Sequence, residues 1–92
     1  MNIEKRAIAL RYKKGEDPAP IVLAKGKGTI AEAIMELANK AGIPTMAEPE
    51  LASLLELTEV GEAIPPEAYK LAAEIIAFVW RLDRQINSDN TR

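Results

Sequence analysis

At 92 residues the chain is long enough for one small domain that buries roughly 60 to 70 % of its unfolded surface, and 48 % apolar with 28 % charged residues argues against disorder. It has no cysteine and no histidine, which excludes disulfides, thiolate metal sites and the commonest general base. A net charge of −2 argues against a nucleic-acid binder, and no apolar run reaches the ~20 residues that span a bilayer.

Arg6 to Tyr12 (RAIALRY) alternates, with Ile8, Leu10 and Tyr12 on one side and Ala7, Ala9 and Arg11 on the other, so it reads as a strand buried on one face and partly wet on the other. Lys13 to Pro20 contains Gly15, Pro18 and Pro20 and reads as a loop. Ile21 to Ala24 is a continuous apolar run with β-branched residues, as expected of a strand at the centre of the sheet.

Thr29 to Ala41 follows with helical spacing at Ile30, Ile34, Leu37, Ala38 and Ala41. Thr29 and Glu32 match a capping box, and Gly42 supplies a stop. Ile43 to Ala47 (IPTMA) reads as a further short strand with Pro44 near its start, and strand, helix, strand predicts a parallel pair joined by a right-handed crossover. Pro49 to Leu57 reads as a short helix and Thr58 to Ala63 as a turn around Gly61.

A long helix is predicted from Pro65 onward, with two prolines at its start and Glu67 at the positive end of its dipole. At about 100° per residue, Ala68, Ala72, Ile75, Val79, Leu82 and Ile86 form one apolar line flanked by Leu71 and Phe78. Tyr69, Ala73, Ile76 and Trp80 form a second row, which gives this helix more apolar surface than so small a domain requires. Residues 1–86 are taken as a single domain and 87–92 as a flexible tail.

Charge is uneven along the chain. Lys5, Arg6, Arg11, Lys13, Lys14, Lys25 and Lys27 outnumber Glu4, Glu16 and Asp17 in the first 28 residues, and the remainder is acidic. Solvated lysines on short strands account for this without a partner. The Gly26-Lys27-Gly28-Thr29 stretch fails as a phosphate-binding Walker A loop, since Ile21 stands where glycine belongs and Gly28 where Ser or Thr belongs; its glycines fit a tight strand-to-helix turn. The carboxylate pairs Glu48/Glu50 and Glu59/Glu62 come without a cleft to separate their acidities, and Ser53 has no histidine to activate it. An independent enzyme is not indicated, and no cofactor or metal is expected.

In order, the blocks R-A-I-A-L-R-Y, P-A-P-I-V-L-A-K-G-K-G, A-G-I-P-T, E-P-E-L-A, V-G-E-A-I-P-P-E-A-Y and A-A-E-I-I-A-F-V-W-R-L resemble the cytoplasmic C-terminal domain of the FlhB family of type III secretion export-switch proteins, over residues 6 to 84. The A-K-G-K-G block and the last block look flagellar. The resemblance implies an α/β fold with a small mixed sheet, about three strands here because the family's first strand is missing, surrounded by three helices. It implies a cytoplasmic location beneath the inner-membrane export gate and a role in handling export substrates of the rod and hook type. Other expected partners are a membrane-bound FlhB fragment or other export-gate components, with no nucleic acid and no direct membrane insertion. Family members cut themselves at an Asn-Pro-Thr-His motif; here Asn2-Ile3-Glu4-Lys5 stands in its place, so no self-cleavage is expected.

With methionine at position 1, the chain is expected to be a stand-alone form. Ala19, Pro20, Ala73 and Ile76 match an apolar substrate-recognition patch of flagellar members. The competing expectation is that Ala73 and Ile76 complete the core. A second functional class is a regulatory decoy that competes with, or complements, the FlhB C-terminal domain by adding a strand.

Overall fold

A computed structural model describes the backbone of residues 5–90 and the side chains of residues 5–82. Two strands, β1 (Arg6–Arg11) and β2 (Ile21–Lys27), pair antiparallel, with Arg6 opposite Lys27 and Arg11 opposite Ile21. The register shifts at Ala9/Leu10, where Ala9 faces Ala24 and Leu10 faces Val22, leaving Leu23 unpaired in a bulge. β2 is longer than the apolar run suggested, because Lys25, Gly26 and Lys27 continue the ladder.

Helix α1 (Thr29–Ala41) lies over one sheet face. Ala7 and Ala31 are buried there, and any side chain at Gly26 would overlap Ile30, so glycine permits the close approach of helix and strand. The Ala7 side of β1 is therefore covered at Ala7, half-buried at Ala9 and open to solvent at Arg11, partly wet as read. The capping box does not form: Gly28, with φ 60°, takes the N-cap position, and no side chain caps the helix. Glu32 instead pairs with Lys5 at 3.2 Å. Gly42, with φ 71°, ends the helix through Gly42 N–H to Asn39 O (3.2 Å) and Ile43 N–H to Ala38 O (2.9 Å), a Schellman closure.

The expected third strand is absent. Residues 43–47 are exposed, and Thr45 to Ala47 make no backbone hydrogen bond to another described residue. Pro44 has no N–H to donate, and no strand lies beside the segment to receive it. The parallel crossover pair is thereby replaced by a two-stranded antiparallel sheet. A different segment joins β2: Ile21 bridges Ala63, with Val22 N–H to Glu62 O (3.0 Å), Gly61 N–H to Val22 O (2.7 Å) and Ile64 N–H to Pro20 O (2.9 Å).

Helix α2 spans Pro49–Leu54, shorter than the apolar pattern, and turns at 55–57. Lys25 Nζ donates to Glu56 O (2.8 Å) and Arg6 to Ser53 Oγ (3.3 Å), fastening α2 across the sheet. A 3-10 turn at Pro66–Ala68 then opens α3 (Tyr69–Asn90), which continues four residues beyond the apolar line's end at Ile86. The core lies on the sheet face opposite α1: Ala19, Val22, Leu51, Leu55, Ile64, Ala68 and Ala72, with Ile8, Leu10, Leu54, Leu71 and Ile75 packed against it. Burying a side chain such as Leu55 contributes about 1.5 to 3 kcal/mol.

The basic early segment folds onto the acidic remainder, with Lys5–Glu32 and Lys27–Glu56 ion pairs at 3.2 and 3.5 Å. Both are exposed, and each contributes under about 1 kcal/mol.

Candidate functional site

The first line of α3 divides from the second as the periodicity predicts. Ala68 and Ala72 are buried and Ile75 packs on the core, whereas Tyr69 (47 % exposed), Ala73 and Trp80 (44 % exposed) face outward and Ile76 is half-buried. Ala73 is therefore not a core residue. The second row is an apolar surface strip about three helical turns long.

The β1–β2 connection, residues 12–20, borders this strip. Tyr12 lies against Trp80 with ring centroids 6.5 Å apart and planes tilted by 35°, and the Lys14 ammonium sits 5.9 Å from the Trp80 ring centre. A cation over an indole face is attracted by the ring quadrupole, worth about 0.5 to 1 kcal/mol at an exposed site.

The same connection carries an ion pair that the sequence reading did not single out. Arg11 Nε and a terminal guanidinium nitrogen donate to the two Asp17 carboxylate oxygens at 3.2 and 3.0 Å, and the Lys13 backbone N–H donates to Asp17 at 2.8 Å. The Glu16 and Asp17 amides both donate to Lys13 O, at 3.0 and 2.8 Å. The Arg11 hydrogen bonds, followed by the Lys13 backbone N–H, hold the Asp17 carboxyl below its ordinary value; partial burial opposes them. The legible signal was an arginine closing a strand six residues before an aspartate, with Gly15 between them.

Ala19 and Pro20, expected on the recognition surface, are both buried. Ala19 packs in the same cluster as Ala68 and Ala72. The structure thus places Ala73 on the surface and leaves Ile76 half-buried, while Ala19 and Pro20 are buried. Of the degenerate motif, Asn2, Ile3 and Glu4 lie outside the described residues; Lys5 is exposed, pairs with Glu32 and accepts Gly28 N–H at 2.8 Å.

An open cleft of about 750 Å³ elsewhere is lined by Leu54, Leu57, Thr58 and three glutamates, Glu56, Glu62 and Glu67. Glu62 is used internally, accepting the Glu59 N–H at 2.9 Å. Among the described residues no group of three or more acidic side chains is placed to hold a metal, and no helix is long and apolar enough to cross a membrane.

Comparison with known proteins supplies the family. The flagellar biosynthetic protein FlhB of Aquifex aeolicus is 54 % identical over 74 residues, which cover 79 % of this chain and 21 % of that protein. FlhB of Escherichia coli is 39 % identical over 79 residues, again 21 % of its length. The chain thus spans about a fifth of the FlhB relatives it matches. A Bacillus subtilis protein, YlqH, is similar in extent as well, 37 % identical over 91 % of this chain and 90 % of its own.

Among solved structures, the cytoplasmic domain of FlhB from Shewanella putrefaciens superposes with a TM-score of 0.82 at 28 % identity, covering 90 % of this chain and 65 % of that one. The EscU C-terminal domain carrying H265A superposes at 0.78 with 34 % identity, covering 83 % and 93 %. The model of the FlhB, HrpN, YscU and SpaS family matches residues 1–79. With the fold and the sequence in agreement over most of its length, the chain belongs to that family.

Proposed function

We propose that the chain is a non-enzymatic component of the flagellar type III protein export apparatus that binds export substrates of the rod and hook type at the cytoplasmic face of the export gate. The observation that carries this reading is the apolar row Tyr69, Ala73 and Trp80, exposed along one side of α3, with Ile76 half-buried among them. A short apolar segment of an unfolded substrate can lie along such a row. Ala19 and Pro20 are buried, so a substrate meets α3 first. No covalent chemistry is assigned to the surface, and Asn2-Ile3-Glu4-Lys5 lacks the proline, threonine and histidine of the self-cleaving motif.

Ala73→Asp tests this. Its side chain is exposed, so the variant keeps the melting temperature, yet it loses capture of a purified rod or hook protein from the same organism. Capture equal to that of the parent chain rejects the surface.

A second reading, complementation or competition by strand addition, is favoured by the outer edge of β1. That edge pairs with no other described strand, and the extended segment 43–48 leads into α2, which packs against β1. Open edges recruit strands. Co-purification with a membrane-bound FlhB fragment carrying the strand before its cleavage motif tests it. The reading fails if no complex forms while the same fragment binds its own C-terminal half.

A further inference from the structure

We propose that Asp17 is a positioning residue for the α3 recognition row: its carboxylate locks the β1–β2 connection into the shape that holds Tyr12 and Lys14 against Trp80. The inference rests on the substrate-binding reading above and adds to it a residue that touches no substrate.

The connection has little of its own to hold it. Nine residues, 12–20, include Gly15 at φ 90° and two prolines, and its internal backbone hydrogen bonds both end on Lys13 O. Asp17 supplies the missing restraint. Three donors converge on its two oxygens, two from Arg11 and one from the Lys13 backbone, at 2.8 to 3.2 Å. Arg11 is the last residue of β1, so Asp17 ties the far side of the turn to the strand it has just left.

Tyr12 and Lys14 lie inside the closed ring, and both reach Trp80. Ala19 and Pro20 follow it by two and three residues, and Pro20 O is already spoken for by Ile64 N–H. An incidental surface pair would leave its carboxylate in water and exert little hold. The Asp17 side chain is 10 % exposed against 41 % for Arg11, and two-pronged guanidinium–carboxylate bonding adds direction to attraction.

Trp80 is the chain's one tryptophan, so its fluorescence reports the contact directly. In the full chain, Asp17→Ala should shift Trp80 emission to the red, raise its acrylamide quenching constant and weaken capture of a purified rod or hook protein, with helical circular dichroism retained. Asp17→Asn keeps one oxygen and the shape, and should return part of all three signals. Glu32→Gln, which removes the Lys5 pair, should leave Trp80 as in the parent chain. The proposal falls if Asp17→Ala leaves Trp80 emission and quenching unchanged, if Glu32→Gln shifts them equally, or if the variant unfolds outright. It also falls if the Trp80 signals move while capture does not. If Ala73→Asp too captures substrate normally, the substrate-binding reading fails independently.

Discussion

The connection at residues 12–20 and the one at residues 43–48 both contain proline and both link regular elements, and they end in opposite situations. In the first, the Asp17 carboxylate collects three donors, Ala19 and Pro20 are buried, and Pro20 O bonds to Ile64. In the second, residues 43–47 are exposed, and Thr45 to Ala47 have no backbone partner among the described residues. Proline and local propensity do not separate them. What does is whether the surrounding structure offers donors, acceptors and apolar cover to the segment. The first borders the core and the proposed recognition row; the second lies on the surface.

A buried charge gives the largest contrast between the two. Ala19→Asp places an unpaired carboxylate in the core cluster and should cost about 3 kcal/mol or more in urea denaturation. At the boundary of the free segment, Gly42→Ala puts a Cβ at φ +71° and should cost about 1 kcal/mol. Space is not the cause there, since nothing lies within 4 Å of that Cβ. Inside the free segment, Thr45→Asp should stay within about 0.5 kcal/mol of the parent chain. A loss approaching that of Ala19→Asp would mean that residues 43–48 are as tightly held as residues 12–20.

Acid should act on the first connection and spare the second. Asp17 has a folded-state pKa lowered from the ordinary 3.8, chiefly by the Arg11 hydrogen bonds, so its contribution is fully present above that value and is lost as pH falls through the lower folded one. Trp80 emission should therefore shift to the red in the parent chain only once the pH has fallen below 3.8. In Asp17→Asn that step should be missing. Hydrogen exchange gives the finest distinction. The Val22, Gly61 and Ile64 amides, each bonded, should be protected, while those of Thr45, Met46 and Ala47 exchange near the rate of an open chain. Protection of these three on adding an FlhB fragment would show the free segment acquiring a strand.

Much of the architecture was legible because it depends on neighbours a few residues away. The 3.6-residue spacing of Ile30, Ile34 and Leu37 and the Gly42 stop located α1 to the residue, and alternation located β1 to within one. The two rows of α3 were legible too, including the apolar excess that the structure leaves on the surface. IPTMA misled because it has strand-like composition, yet a strand exists only when a neighbour bonds to it. The Thr29–Glu32 spacing misled because Gly28, free to adopt positive φ, starts the helix and Lys5 draws Glu32 away. For the candidate surface, Ala73 and Ile76 could be placed on a helix face, but the burial of Ala19 and Pro20 and the Arg11–Asp17 tie could not, since each depends on elements distant in the chain or on the path of a loop.

By itself, then, the order of residues determined the helices, the first strand, the family blocks and the exclusion of cysteine or histidine chemistry, all set by composition or by contacts within a turn or two. Only the tertiary structure decided that 61–64 and not 43–47 runs beside β2, that α1 covers Ala7 of β1, and that Tyr69 and Ala73 of the second row stay exposed. Those outcomes follow from pairing and packing between distant segments, where the competition for backbone partners and apolar cover is settled by the whole fold.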